Sequence, residues 1–508
     1  MKYRALKSVA LLLALSAIAV AQDLASFEKR ITVKKLDNGL TVIICERPGA
    51  PVFSFNTLVD AGSVQDPMGK TGLAHMFEHM AFKGTDKIGT TDYPAEKIAL
   101  ARVETAYAAY IAERDKRVGR DEQKLKDLQK AWQDDVAEAQ KYVKPNEFPR
   151  ILESNGAEGL NASTGEDRTE YHYSFPENRL ELWAYLESDR FLHPVMREFY
   201  KERNVVIEER RMRTDSNPFG RLLEQFITAA FQAHPYHRPG VGWMADLNSF
   251  SATDAQKFFD EYYIPSNMVV AVAGDVKAAT AMPIIEKYFG RIPSRDKPDE
   301  RTTTEPPQNA ERRVILYDRS QPIYLEGYHR PDYRDKDDNV YDAIADLMSS
   351  GRTSRLYRAL VRDKKVASDA EGFTGQPGIK YPHLFAFIAV PLPGHTNAEM
   401  ADAIHAEIDR IKKEDISDDE LKMIRTRAKA NLLRELDDNE GLASRLAFYQ
   451  TRYGDWRELF HQVENLDKVT KADIRRVANQ TFVPTNRTVG IIETVAPPPA
   501  AGQNGGGQ

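Results

Sequence analysis

The chain has 508 residues, of which 42% are hydrophobic and 29% are charged, and its formal net charge is −6. This composition predicts a globular protein long enough for two domains with separate cores, and the lack of a basic excess argues against a nucleic-acid partner. A single cysteine, Cys45, excludes an internal disulfide.

The first 21 residues have the pattern of an export signal. Three basic residues precede an apolar run over residues 9–20, and Ala19-Val20-Ala21 fits the small-x-small rule for cleavage, here after Ala21. We therefore expect a periplasmic or secreted protein with no stable membrane span once the signal is removed. The run is short for a bilayer, so a retained membrane anchor is the less favoured alternative.

A histidine motif follows three predicted strands, at residues 31–36, 40–45 and 52–59. It reads His-x-x-Glu-His, with His75, Glu78 and His79 as its fixed positions. In a helix, the two histidines lie one turn apart on one face, and imidazoles at this spacing can bind one divalent metal. The glutamate borders that face, where a general base for a metal-activated water would stand. The alternative is a helix with two hydrogen-bonded histidines and a solvated glutamate.

Residues from about 95 to 145 differ in composition from their surroundings. They are rich in Ala, Glu, Lys, Arg and Gln, and Gly119 falls near the middle, which predicts two long helices in a charged hairpin. We interpret the hairpin as a solvated extension inserted into the first domain, and we expect its removal to leave metal binding intact. A coiled-coil contact with a partner is the alternative.

Two distant segments of the chain resemble each other. Residues 254–272 and 473–491 each combine a helix, a Pro-x-Asn step and a strand, at one constant offset. A repeat of this kind predicts two related halves. We therefore divide the chain into a signal peptide (1–21), a first, zinc-bearing domain (28–292), a linker (293–311), a related second domain (312–495) and a disordered tail (496–508).

Further elements are predicted in both halves. The first half contains two helical segments, and the second half alternates strands with helices. The predicted helices are 176–191, 197–213, 337–349 and 353–364, and the predicted strands are 312–318, 322–329 and 384–391.

These features together resemble the pitrilysin/insulinase family of zinc metallopeptidases, and within it a bacterial single-half branch similar to the mitochondrial processing peptidases. The resemblance covers residues from about 30 to 494. It implies an α+β fold of two homologous α/β-sandwich domains, each an antiparallel-rich mixed sheet with helices packed on it. The matching segments are Gly72–Thr85, Gly159–Thr164, Glu202–Glu209 and Pro265–Asp275.

The resemblance implies one zinc ion per chain and supplies a third ligand. Family members carry two glutamates seven residues apart on a Glu-Arg-x-x-Val-type helix, and these match Glu202 and Glu209. Seven residues are nearly two helical turns, so both side chains share a face. Glu209 would bind zinc with His75 and His79, and Glu202 would support the catalytic site from behind the ligands. The adjacent Glu208 stays open as an alternative ligand.

The same resemblance implies where substrate binds. Asn161 and Ala162 match the edge strand on which the family lays an extended peptide through backbone hydrogen bonds. Arg362 matches a substrate-holding arginine, but the tyrosine that often follows it is absent at Ser368 and Asp369. The alternatives are a turn role for Asn161 and a surface-charge role for Arg362.

The sequence thus predicts an exported zinc metalloendopeptidase that hydrolyses peptides or unfolded protein segments, with Glu78 taking the proton of a zinc-activated water. The alternatives are a non-catalytic structural or chaperone-like subunit of a heterodimer and a zinc-binding module without turnover. Two related domains correspond to one half of the family's closed chamber, so we expect a dimer. Its partner would be a related chain that lacks the zinc motif or a second copy.

Overall fold

The structure is a computed structural model that describes residues 24–300 and 302–495. The predicted signal peptide (1–21) and the predicted tail (496–508) lie outside the described residues. Among the helices of the described part, none is both long enough and apolar enough to cross a bilayer.

The strands of the described residues form two mixed sheets, one of six strands and one of five. Most strands lie within one or two residues of their predicted positions, but β9 was not predicted from the sequence. Its segment contains two glycines and several polar residues, and it is extended because it pairs with β10 along its length. The strands are β1 (Ile31–Lys35), β2 (Thr41–Glu46), β3 (Val52–Val59), β4 (Glu158–Thr164), β5 (Thr169–Pro176), β6 (Met268–Gly274), β7 (Arg312–Asp318), β8 (Ile323–Arg330), β9 (Ala367–Gln376), β10 (His383–Pro391) and β11 (Arg487–Thr494).

The two sheets have the same topology. The first has the strand order β1-β2-β6-β3-β5-β4, and the second has the order β7-β11-β8-β10-β9. Without β1, the orders correspond strand by strand: the β2–β6 and β7–β11 pairs are parallel, and the other pairs are antiparallel. This arrangement confirms the predicted fold class, an antiparallel-rich mixed sheet in each of two related units.

The sequence repeat has a local structural counterpart. The side-chain amide of Asn267 donates to the carbonyl of Tyr262 at 3.0 Å. The amide of Asn486 donates to the carbonyl of Thr481 at the same distance. Each asparagine therefore closes the step between a helix and the strand that follows it, as the Pro-x-Asn pattern requires.

Seventeen α-helices are described, and three of the predicted ones need correction. The helix predicted at 176–191 begins only at Leu180, because β5 extends to Pro176. The helix predicted at 197–213 ends at Arg210 and continues as a π-helical segment, Arg211–Asp215. The segment 353–364 is mostly a second π-helical stretch, Tyr357–Asp363. The α-helices are α1 (Leu24–Glu28), α2 (Leu73–Met80), α3 (Tyr93–Arg114), α4 (Glu122–Gln140), α5 (Glu147–Ser154), α6 (Leu180–Leu192), α7 (Phe199–Arg210), α8 (Pro218–Ala230), α9 (Met244–Leu247), α10 (Ala252–Tyr262), α11 (Ala278–Phe289), α12 (Asp338–Ser349), α13 (Asn397–Lys413), α14 (Asp418–Glu435), α15 (Asn439–Tyr453), α16 (Glu458–Lys468) and α17 (Lys471–Thr481).

The two units exchange helices. Helix α15 comes from the second half of the chain and packs on β3 and β6 of the first sheet, where Leu442 and Leu446 join a core with Ile43. Helix α8 comes from the first half and packs on β7 and β11 of the second sheet. Each sheet therefore completes its core with side chains from the other half. Each large apolar residue that is fully buried in this way stabilises the fold by roughly 1.5–3 kcal/mol.

Two glycines make room for the crossing of α8. A Cβ atom added at Gly327 would lie 2.8 Å from the ring of Phe226, and one added at Gly490 would lie 3.1 Å from it. Both glycines stand on neighbouring strands of the second sheet, so together they form the groove that the ring fills.

A buried ionic cluster also joins the halves. Asp60, at the end of β3, accepts hydrogen bonds from Lys297 at 2.8 Å and from Lys380 and Arg452 at 3.0 Å. Burial alone would raise the pKa of Asp60, but the nearby cations lower it below its usual value. The carboxylate is therefore ionised and fully paired, and removing one partner would leave a buried charge uncompensated.

The helical hairpin, α3 and α4, is only partly a solvated extension. Helix α4 is mostly exposed, as predicted. One face of α3 is not, because Ala99, Val103 and Tyr107, spaced four residues apart, belong to the first core. The interpretation as a solvated extension is therefore wrong for this face of α3.

We predict that Phe226→Ala lowers the free energy of unfolding by about 3–5 kcal/mol, because it empties the groove between the halves. Gly327→Ala alone should cost about 1–3 kcal/mol through overlap with the ring, and this cost should largely vanish in the Phe226→Ala background. Urea denaturation of both single variants and the double variant measures the coupling. Strictly additive losses would contradict the close approach.

Candidate metal centre

The motif helix α2 begins at a glycine that has no capping side chain. Gly72 has φ 95°, and a Cβ atom there would lie 2.5 Å from the carbonyl oxygen of Val241, so a larger residue does not fit. The buried carboxylate of Asp66 accepts hydrogen bonds from the backbone N–H groups of Gly72 at 2.6 Å and Ala74 at 2.9 Å. This side chain supplies the cap that the helix lacks and fixes the start of the motif.

Three possible ligands converge on one point. The rings of His75 and His79 lie edge to face, with centroids 5.0 Å apart. The Nε2 atoms of both rings lie 3.5 Å from the two carboxylate oxygens of Glu209, one oxygen each. Within the described residues, these three side chains form one group whose ligand atoms lie within 4.8 Å of one another. We call this group the metal trio.

The donor set of the trio fits zinc. Two imidazole nitrogens and one carboxylate are a ligand set of catalytic zinc sites, which keep a fourth position open. Both histidines turn Nε2 towards Glu209, so the three side chains can share one cation. The structure therefore brings together the residues that the sequence assigned to the metal.

Glu208 and Glu209 are adjacent in helix α7, but their side chains point in different directions. The Glu208 side chain is 61% exposed and pairs with Arg211 on the outer surface. The Glu209 side chain turns inwards to the histidines instead. The alternative ligand left open by the sequence therefore points away from the trio.

The ionisation states of the trio differ from one residue to the next. Burial lowers the pKa of His75 to about 4, so its ring is neutral and keeps a lone pair for a cation. Burial also opposes charge on His79, but hydrogen bonds to the carboxylates of Glu202 and Glu209 outweigh it and raise the pKa to about 9. The hydrogen bond from His79 is the main cause that lowers the pKa of Glu209, which is therefore anionic.

Glu202 lies behind the trio, one step from the ligands. Its Oε2 atom is 3.7 Å from Nδ1 of His79, the ring nitrogen that faces away from Glu209. Its Oε1 atom is 2.5 Å from the ammonium of Lys83. Outer partners of this kind orient a ligating imidazole and hold its tautomer.

Two cations near the site were missed by the sequence reasoning. Lys83 lies three residues beyond the end of α2, so the helical spacing of the motif gave no signal for it. Arg213 follows Glu209 by four residues, and its guanidinium lies 2.8 Å from the Oε1 atom of that glutamate. Each cation thus neutralises one carboxylate of the site, Lys83 that of Glu202 and Arg213 that of Glu209.

Glu78, the predicted general base, is half-buried beside the trio. Burial raises its pKa, while a hydrogen bond with Thr164 and the nearby His79 partly oppose the rise. Thr164 is the last residue of β4, so the base is tied to the end of that strand.

Strand β4 carries Asn161 and Ala162 and lies at the edge of the first sheet. Among the described strands, β4 pairs only with β5, and it contacts the motif helix α2. The Asn161 side chain accepts a hydrogen bond from the N–H of Ala162 at 2.9 Å. The predicted substrate residues therefore stand on an open edge next to the trio.

Arg362 lies apart from these residues. It belongs to the π-helical stretch Tyr357–Asp363 of the second unit, its side chain is 56% exposed, and its guanidinium pairs with the adjacent Asp363. The structure does not bring it to the trio.

Two family models match the chain. "Insulinase (Peptidase family M16)" matches residues 41–103, which contain the histidine motif, and "Peptidase M16 inactive domain" matches residues 249–428. The zinc protease PqqE of Helicobacter pylori is 29% identical over 490 residues, which are 95% of this chain and 96% of that protein. A zinc protease of Mycobacterium leprae, described as uncharacterized, is 23% identical over 88% of each chain.

Solved structures agree on the fold. A protease from Helicobacter pylori superposes with a TM-score of 0.75 at 27% identity, over 91% of this chain and 99% of that one. The periplasmic protease PqqL of Escherichia coli has a TM-score of 0.67 at 19% identity, over 92% of this chain and 48% of that one. The fold is thus that of the two-unit peptidases of this type. The chain belongs to the pitrilysin/insulinase family of peptidases, family M16.

We predict that Glu209→Gln removes most of the bound zinc, because a neutral amide is a poor substitute for a carboxylate ligand. The matched control is Glu208→Gln on the same helix, which should retain zinc at the wild-type level. Metal content of the purified proteins, measured by elemental analysis after dialysis, checks both. Loss of zinc from Glu208→Gln alone would contradict the assignment.

We also predict that Lys83→Met lowers zinc affinity by about 10- to 100-fold, because Glu202 loses its counter-charge and holds His79 less firmly. Lys83→Arg should restore most of the affinity. Lys87→Met, which removes a half-exposed lysine four residues later, serves as the control. Competition with a zinc chelator measures all three, and equal affinities for Lys83→Met and Lys87→Met would count against this role.

Proposed function

We propose that the chain is an exported zinc metalloendopeptidase that hydrolyses peptides or unfolded protein segments. The observation that carries the proposal is the convergence of His75, His79 and Glu209 beside Glu78. A metal trio alone would serve a structural site equally well. A half-buried carboxylate at its side supplies the acid–base group that a hydrolase needs.

Zinc held by the trio would supply a Lewis acid that activates water and polarises the scissile carbonyl. Glu78 accepts the proton of the attacking water as the new C–O bond forms. It then delivers that proton to the amine nitrogen as the C–N bond breaks. The raised pKa of Glu78 suits both steps, because a carboxyl group that titrates closer to neutrality gives and takes a proton more readily.

The open edge of β4 supports a peptide as the substrate. An extended chain can add to an edge strand through backbone hydrogen bonds, which act on any sequence. Asn161 and Ala162 lie on this edge, and Thr164 of the same strand hydrogen-bonds with Glu78. A peptide bound along β4 would therefore run towards the base. In this proposal Arg362 has no contact with the reacting groups and would act only through a partner chain.

The periplasm or cell exterior is the proposed compartment, on the basis of the signal pattern that ends at Ala21. A dimer is the proposed assembly. This chain spans 48% of the Escherichia coli PqqL chain, so it has about half the length of that relative by fold. Closing the site against bulk water would need a second half, which we place on a related chain without the zinc motif or on a second copy.

A non-catalytic subunit is the second candidate function. It is favoured by the match of residues 249–428 to a model named for an inactive domain. Against it stands the first unit, where the histidine motif is intact and its side chains converge with Glu209. A subunit without activity has no need for a base beside a metal site.

We predict that Glu78→Gln lowers kcat by about 10²- to 10⁴-fold on an unfolded protein substrate while the zinc content stays at the wild-type level. The amide keeps the shape of the side chain but cannot accept a proton. Glu181→Gln, a surface change beside Lys287, is the control and should keep full activity. Wild-type protein that binds zinc and cleaves no peptide at any concentration would favour the non-catalytic subunit.

A further inference from the structure

The helical hairpin lies along α7, the helix that carries Glu202 and Glu209. Its two helices contact α7 at three levels, through buried ion pairs, hydrogen bonds and stacked aromatic rings. The contacts are made by Arg197, which precedes α7, and by Tyr200 and Arg203 of α7, which do not face the histidines. A segment that looks inserted in the sequence is therefore packed against the back of the metal centre.

The first contact fixes the start of α7. Arg197, two residues before α7 begins, donates two hydrogen bonds to the carboxylate of Glu96 on α3, at 2.6 and 2.8 Å. The same guanidinium donates to the backbone carbonyls of Lys83 at 2.8 Å and Thr85 at 3.1 Å, just beyond the motif helix. One buried arginine thus joins the hairpin, the end of α2 and the beginning of α7.

The second contact is made by Tyr200, in the first turn of α7. The hydroxyl group of Tyr200 donates to Glu104 of α3 at 2.6 Å. The ring of Tyr200 lies 4.5 Å from that of Tyr107 on α3 and 5.1 Å from that of Trp132 on α4. Both helices of the hairpin therefore touch the same side chain of α7.

The third contact involves Arg203, the residue directly after Glu202. Its guanidinium donates to the hydroxyl of Tyr107 at 2.5 Å and lies 4.9 Å from the ring of Tyr200 and 5.9 Å from that of Trp132. Its side chain is buried between the two helices of the hairpin and α7. A cation enclosed by aromatic faces in this way is held in one place.

Helix geometry relates these contacts to the ligands. With 3.6 residues per turn, Tyr200 and Arg203 lie about 100–180° around α7 from Glu202 and Glu209. A helix moves as a rigid rod over this length. A shift of the α7 face that contacts the hairpin would therefore move Glu202 and Glu209 towards or away from the histidines.

We propose that the hairpin is a positioning element for the metal site, with Tyr107 and Arg203 as its main contact. This inference rests on the proposed zinc site and gives the inserted segment a role in it. It reverses the expectation from the sequence that removing the hairpin leaves metal binding intact. The hairpin does not touch substrate or metal; it sets the distance between α7 and α2.

The test separates positioning from simple stabilisation by measuring zinc affinity rather than stability alone. Zinc affinity of Arg203→Met, Tyr107→Leu and the double variant is measured by chelator competition on folded, purified protein. We expect a loss of about 10- to 100-fold for Arg203→Met, and the double variant should lose little more, because both changes break one contact.

Two controls define the baseline. Ile404→Ala empties part of the second core, far along the chain from the site, and lowers Tm without touching the hairpin. Lys130→Ala removes an exposed ion pair on α4. Both should keep wild-type zinc affinity. Tyr107→Phe, which deletes a single hydroxyl group, replaces the larger changes if they prevent folding, and we expect a loss of a few-fold.

The outcomes distinguish this inference from the proposed function. If wild-type protein binds no zinc, both fail. If wild-type protein binds zinc and Glu209→Gln loses it, while folded hairpin variants keep wild-type affinity, only the positioning role fails. The positioning role is supported if the hairpin variants lose zinc affinity while Ile404→Ala, at the same Tm, keeps it.

Discussion

The exchange of helices α8 and α15 between the two units is the constraint on which the rest of the structure depends. Each sheet has an apolar face on which a helix from the other half packs, and Phe226 lies in the groove left by Gly327 and Gly490. Arg452 of α15 adds a buried ion pair to Asp60 at the end of β3. Because both cores are shared, the linker between the halves is not a boundary between independently packed bodies. The strands that flank the metal trio therefore stand on a scaffold held from both sides.

Within that scaffold, the site depends on pairing each carboxylate with a cation or a donor. Glu202 and Glu209 stand on one helix face, and the charge of Glu209 helps to raise the pKa of Glu78. Lys83 pairs with Glu202, and Arg213 pairs with Glu209. The hydrogen bond from His79 is the main cause that lowers the pKa of Glu209, and Arg213 adds to it, whereas burial raises the pKa of Glu78. This difference in surroundings makes Glu78 suited to proton transfer and Glu209 suited to binding a metal.

The part of this arrangement that is local in sequence was predictable. His75 and His79 needed only the helical spacing, and the strands with regular apolar patterns lie close to their predicted positions. Glu209 was reached through resemblance, because no local rule connects it to a motif so far away in the chain. The strand β9 and the exchanged helix α8 depend on pairing and packing with distant segments, which composition does not reveal. The buried face of α3 was missed because its spacing of Ala99, Val103 and Tyr107 is diluted by charged residues on the other faces.

The open edge of β4 has a consequence for how tightly an extended chain can be held. Its pairing with β5 is irregular between Glu158 and Asn161, and Gly159 has φ 68° there, so the regular part of the edge runs only from Asn161 to Thr164. So short a ladder offers two or three backbone hydrogen bonds, each worth on the order of 1 kcal/mol. A polypeptide laid along it would be released quickly, and two copies of the protein could not zip together edge to edge. The irregularity thus weakens binding along the edge of β4 and speeds the release of a bound chain. It also keeps this exposed edge from becoming a point of self-association.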